Sequence, residues 1–342
     1  MFIEADADVT LDYFGVDPLP PFPCFDEFLY DVTRLKCGGF IFAIRVNHTL
    51  CDGCGIGQFI KGIAEIAQGA SNPSIIPAWC RELLCARDPP RVTFIHHKYK
   101  QLSLDDNKTV SLKLSQASFF FRPREIDALR CLLPRHLAQS STTFDILTAC
   151  VWRCHTAALQ WQNPNQEVLL MCVVNARFKP CRFSPPLPEG FYGNAFVLPT
   201  AVSTVEKLCG QPLSYALELV KKTKKEASEE YVHSTADLMA TKGKPAFSLS
   251  EGSFMVSDMT KCGFRDVDYG WGKPLYSGLD KAGMDDVPGL SYFIPYTNSK
   301  GEYGRVVLMC LAEEAMKRFE KELHVEYFRS RMKYHLYWML DI

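Results

Sequence analysis

Residues 38–55 read GGFIFAIRVNHTLCDGCG. A run that alternates well enough for a strand over 39–46 empties into a histidine, an aspartate, two cysteines and a cluster of glycines. Immediately afterwards IGQFIKGIAEIAQ (56–68) spaces Ile56, Phe59, Ile60, Ile63 and Ile66 three and four apart, which predicts an amphipathic helix. Asp52 stands just ahead of it, where a side-chain oxygen accepts hydrogen bonds from the first free backbone N–H groups.

Three chemistries compete for this corner. His48, Cys51 and Cys54 have an H-x-x-C-x-x-C spacing that suits zinc, but a closed site needs a fourth ligand, and neither Cys24 nor Cys37 forms a paired knuckle. Gly53, Gly55 and Gly57 lie between a strand and a helix, the right context for a phosphate-binding turn. Gln58, however, stands where the dinucleotide fingerprint needs its last glycine, and the turn is long. The third chemistry needs only a histidine leaving a strand end toward a cleft, where neutral imidazole (unperturbed pKa about 6.5) accepts a proton. Its plain counterpart is a loop histidine with no task.

The rest of the chain narrows the class. At 342 residues it is long for one core, and 47% apolar with 23% charged residues is ordinary globular composition. A net charge of −1 gives no general pull toward nucleic acid or anionic membrane. No apolar run reaches spanning length, and the opening residues are acidic where a leader would be basic, so the cytoplasm is the expected location. The fourteen cysteines are scattered, several of them in apolar runs (Cys150, Cys172, Cys310), and read as reduced thiols rather than a disulfide framework.

Strand patterns follow at VSLKLSQASFFF (110–121) and EVLLMCVVNAR (167–177), and a strand then a helix at GRVVLMCLAEEAMKRFEKEL (304–323). Helices are predicted at FRPREIDALRCLL (121–133), at SSTTFDILTACVWRCHTAAL (140–159) with a Ser or Thr cap, and across 212–239. The lysine run Lys221 to Lys225 reads as a solvated face. Residues 71–107 are proline-rich and polar, a connection between domains. Alternating strands and helices predict an α/β or α+β architecture.

NHTLCDG (47–53) resembles the H-x-x-x-D-G motif of the BAHD acyltransferases. Further matches occur in the family's order. DYGWG (268–272) resembles its D-F-G-W-G, with Tyr269 in place of Phe. VNARFKP (174–180) with PPLPEGFYGNAF (185–196) resembles an arginine-bearing strand end and its following loop. LAEEAMKRFEKEL (311–323) resembles the penultimate helix, and FIEADADVTL, CFDEFLYDV and ARDPPRVTFIHHKY are similar to the alcohol acyltransferases that include benzyl alcohol O-benzoyltransferases.

The resemblance implies a two-domain, chloramphenicol-acetyltransferase-like α/β fold with mixed sheets and flanking helices. A partial first domain would span 1–85, a crossover 86–112 and the second domain 113–342. The resemblance finds no counterpart here for the family's initial strands or for a CPLLLIQ-like strand, so the first domain is expected to be incomplete. Between the domains a channel would admit acyl-CoA from one mouth and a small alcohol from the other, with His48 midway as general base. Asp52 would pair with Arg177, while Asp268, Gly270, Trp271 and Gly272 would shape a supporting loop, Trp271 filling a large volume. Acyl-CoA is a co-substrate in this reading; no metal or permanently bound cofactor is expected, nor a nucleic-acid or membrane partner, and the chain would be a monomer. The lysines of the Lys221 to Lys225 run, with Lys242 and Lys244, are candidates for the CoA phosphates. The alternative is a truncated member without turnover that at most binds CoA or a small ligand.

Overall fold

The computed structural model describes residues 3–22, 25–28, 30–99, 113–178, 183–243, 252–281 and 288–340. The chain opens with a three-stranded sheet of β1 (Glu4–Ala7), β2 (Val32–Leu35) and β3 (Phe40–Phe42), in which β1 runs parallel and β3 antiparallel to β2. The strand expected over 39–46 shortens to three residues. Of that stretch, β2 pairs only with 40–42, and among the described residues no other strand lies beyond β3 to hold residues 43–47 extended. Helix α1 (Gly53–Ala67) follows the polar corner.

Residues 71–99 cross to the second half of the molecule. Ala78 bridges Phe191. The Arg87 side chain donates to Asp237 and Glu230, and the Asp237 carboxylate also accepts from the backbone N–H of Arg87 and of Arg91. Part of the predicted connection, residues 100–112, lies outside the described residues.

After β4 (Leu114–Phe121) come three helices, α2 (Pro123–Arg130), α3 (Arg135–Ser140) and α4 (Thr143–Ala158). α4 starts as predicted: Thr142 accepts from the Asp145 N–H, and Asp145 accepts from the Thr142 N–H in return. β5 (Glu167–Cys172) and the short β6 (Val174–Asn175) split the predicted strand. Next come β7 (Phe196–Val197), β8 (Thr200–Thr204) and α5 (Val205–Gly210). The helix expected across 212–239 is two, α6 (Leu213–Glu226) and α7 (Glu229–Lys242), because Ser228 leaves the helical path and caps the second through the Tyr231 N–H. β9 (Ser253–Asp258), β10 (Leu290–Thr297), β11 (Tyr303–Ala312) and α8 (Glu313–Leu340) complete the order.

β4, β11, β10, β9, β5 and β8 form one mixed six-stranded sheet in that spatial order. Its main core lies against the helices. Val168, Leu170 and Cys172 of β5, with Phe254 and Val256 of β9, meet Trp152, Leu217 and Phe319 there. Alternate residues, Met171 and Met255, point to the opposite face and join Leu198 and Leu290, with Phe196 and Tyr292 packed against them. That second apolar face is the one that adjoins the polar corner, through Phe196. Cys150, Cys172 and Cys310 are buried.

Candidate active site

The corner is built by backbone bonds before any side chain acts. Asn47 Oδ1 accepts from the N–H and hydroxyl of Thr49, closing a tight turn at the strand end. Arg81, stacked 4.0 Å over the Trp79 ring, donates to the carbonyls of Thr49 and Leu50. Asn194 donates to the His48 carbonyl at 2.7 Å. The loop backbone is thereby pinned from two sides, and its histidine is left exposed. The imidazole stands edge-on to the Phe196 ring, 6.3 Å between centroids. Among the described residues it has no hydrogen-bond partner.

Asp52 points the other way. It caps α1, accepting from the Gly55 N–H at 3.0 Å. Both its oxygens accept from the Arg177 guanidinium, at 2.8 and 3.1 Å, and Oδ2 also takes the Ala195 N–H at 2.9 Å. Arg177 donates further to the carbonyls of Phe191 and Gly193 and is buried with its partner. This two-pronged pair ties the helix start to the strand end at Val174–Asn175 and to the loop returning as β7. Asp52 thus has no free lone pair directed at the imidazole, and a hydrolase-style relay from Asp52 to His48 finds no geometry here.

The Asp268 loop is self-contained. Asp268 Oδ1 accepts from the N–H groups of Gly270 and Gly272, which adopt φ of +101° and +102° where a side chain would be strained. The Asp268 carbonyl accepts from Gln68, at the far end of α1. A fifteen-residue helix is about 22 Å long, so the loop braces the end of α1 opposite the His48 corner. Trp271 does not fill an interior volume. It is 81% exposed, and its ring meets the edge of Phe40, while Tyr269 takes the more buried place between Phe40 and Phe42.

Metal ligands are not gathered at the corner. Among the described residues no three His, Cys, Asp or Glu side chains converge as an ion would require, and Cys54 faces Cys262 instead. The lysine run is partly engaged in structure, with Lys221 on Ser140 and Lys224 on Asp145. Lys242 ends α7, and Lys244 lies outside the described residues. Asn194, Arg81 and Phe196 were not singled out from sequence. Asn194 lay inside the quoted loop and was visible there; nothing in the spacing of Arg81 marked it. No described helix is long and apolar enough to cross a membrane.

The chain is similar to known proteins over most of its length. The profile described as the Transferase family matches residues 2–325. The chain is 54% identical over 350 residues to 13-hydroxylupanine O-tigloyltransferase of Lupinus albus, covering 97% of this chain and 76% of that one. It is 52% identical over 343 residues to benzyl alcohol O-benzoyltransferase of Nicotiana tabacum, covering 94% and 73%. Among solved structures, vinorine synthase superposes with a TM-score of 0.68 at 18% identity, over 93% of this chain and 74% of that one. TRI101 of F. graminearum, solved with coenzyme A and deoxynivalenol, gives 0.66 at 17% identity, over 93% and 78%. These two similarities establish the shared fold.

Proposed function

The chain belongs to the Transferase family, the BAHD acyltransferases, and from that premise we propose that it transfers an acyl group from coenzyme A to the hydroxyl of a small alcohol, with His48 as the general base. One observation carries the reading: the corner's carboxylate is consumed by Arg177, Ala195 and the helix start, while its imidazole stands exposed with its hydrogen-bonding capacity free.

The chemistry then follows from the groups present. Neutral His48 takes the proton of the alcohol as its oxygen attacks the thioester carbonyl. The tetrahedral intermediate collapses with cleavage of the C–S bond, and the departing thiolate takes the proton back from the imidazolium. The thioester is already activated, so no acyl-enzyme is needed. Base assistance of this kind is worth about 10²–10⁴-fold, and holding both reactants together contributes roughly 7–11 kcal/mol in well-oriented systems. Phe196 beside the ring, and the apolar cluster of Met171, Leu198 and Met255 that it packs against, suit the carbon skeleton of an acceptor better than water.

The relatives' names direct the assay to benzoyl and tigloyl donors with benzyl alcohol and 13-hydroxylupanine as acceptors. CoA release is followed with the chain and with His48→Ala. Loss of turnover by two orders of magnitude or more is expected. Turnover unchanged by the substitution would remove His48 from the mechanism, and a folded chain that binds CoA but turns over none of these pairs would favour a binding role.

A further inference from the structure

The first turn of α1 presses on the segment just ahead of the Asp268 loop. Gly57 lies so close to it that a methyl group there would stand 1.9 Å from the Cys262 carbonyl oxygen. At this contact two free thiols meet, Cys54 on the helix and Cys262 on the segment, with sulfurs 3.6 Å apart although the residues are 208 positions apart in the chain. The Asn175 amide, at the strand end that leads to Arg177, donates to the Cys54 sulfur at 3.1 Å. Both cysteines are half-buried rather than sealed in the core.

We propose that Cys54 and Cys262 are a reversible thiol–disulfide pair that latches helix α1 to the segment preceding the Asp268 loop. The sulfurs need to approach by only about 1.5 Å to reach bonding distance, a movement of side chains already in contact. Cys54 is the attacking partner. The hydrogen bond shared with the Cys262 sulfur holds its pKa below the ordinary thiol range against the opposing effect of burial, and the start of a helix also favours a thiolate. With a hydroperoxide as oxidant, the Cys54 thiolate attacks one peroxide oxygen. The O–O bond breaks, a sulfenic acid forms and hydroxide leaves as water. The Cys262 sulfur then attacks the Cys54 sulfur, the S–O bond breaks and a second water departs with the Cys262 proton. Two thiols and one hydrogen peroxide become one disulfide and two waters, both sulfurs oxidised and both peroxide oxygens reduced. A dithiol reductant reverses the bond by exchange. The proposal stands independently of the chemistry assigned to His48.

The full chain is treated with equimolar hydrogen peroxide, its remaining thiols are capped with N-ethylmaleimide, and the unreduced digest is analysed by mass spectrometry. A cross-linked peptide pair carrying Cys54 and Cys262 is expected. It should vanish on dithiothreitol treatment and be absent from Cys262→Ser and Cys262→Ala. The oxidised wild-type chain should also melt several degrees higher than the reduced one, since the bond closes a long loop of the unfolded chain. Capping of both Cys54 and Cys262 while the exposed Cys37 and Cys85 are oxidised would overturn the proposal, as would a bridge from either to another cysteine.

Discussion

Asp52 accepts four hydrogen bonds and is buried with Arg177, whereas His48 is exposed and its ring accepts none among the described residues. Substitutions at the two ends of the motif should therefore separate stability from chemistry. Arg177→Ala leaves a buried carboxylate unpaired, which costs about 3–5 kcal/mol; urea denaturation should show the loss, and turnover per folded molecule should fall less than it does for His48→Ala. His48→Ala should leave the urea midpoint unchanged and remove the turnover. A stable Arg177→Ala chain would mean that the fork is dispensable to the corner. At this scale much was legible. The resemblance of NHTLCDG to the family motif implied that Asp52 pairs with an arginine, and the apolar strand ending at Arg177 supplied the candidate. The exposure of Trp271 was not legible. A large aromatic predicts volume to be filled, but which of two adjacent rings turns inward is decided by the partner surface, and here Phe40 and Phe42 took Tyr269.

Among the elements, α1 does the most positioning, since its start holds Asp52 and its end holds the Asp268 loop through Gln68. Its glycines are poor helix formers that close contact requires. Alanine in place of glycine would favour the helix by up to about 1 kcal/mol where there is room. At position 57 there is none, because the added carbon would meet a backbone oxygen at 1.9 Å. At Gly62 the nearest atom, a side-chain carbon of Pro73, would be 3.3 Å away. Gly57→Ala should thus lower the thermal midpoint clearly more than Gly62→Ala; equal midpoints would show that α1 is free to shift off Cys262. The periodicity of α1 was readable and its docking partner was not, because a helical repeat reports one face and never what covers it. The same limit explains the break between α6 and α7. Lysine and glutamate carry the pattern as far as Glu226 and Ala227 extends it, and only Ser228 followed by two glutamates signals a new start.

For the whole molecule, the six-stranded sheet pairs strands in the order β4-β11-β10-β9-β5-β8. Strand patterns were readable at 110–121, 167–177 and the start of 304–323, but the order depends on contacts between residues far apart, which local periodicity cannot carry. The assembled core has one consequence that only the fold makes visible. His155, on α4, is 2% exposed and stacked on Phe254 at 4.8 Å between centroids. Burial pushes its pKa down to about 4. Burial, and then the nearby Lys98 charge, do the same for His96. In the unfolded chain both would titrate near 6.5. Between about pH 6.5 and 4 the unfolded chain therefore binds protons that the folded chain refuses, so stability is fully present above the unfolded value and is lost as the pH falls through this window. For Asp145, burial pushes upward but the Lys224 ammonium and the Thr142 hydrogen bonds outweigh it, so its carboxyl lies below the ordinary range. Its contribution has the same sign and is lost at still lower pH. Urea midpoints at pH 7.5, 6 and 5 should fall in that order, His155 contributing at most about 1.4 kcal/mol per pH unit. His155→Leu should flatten the slope by removing one proton from the balance, whatever it does to the midpoint at pH 7.5. A midpoint that stays constant from pH 7.5 to 5 would mean that His155 is protonated inside the fold, and the packing of α4 against β9 would then have to admit water to the ring.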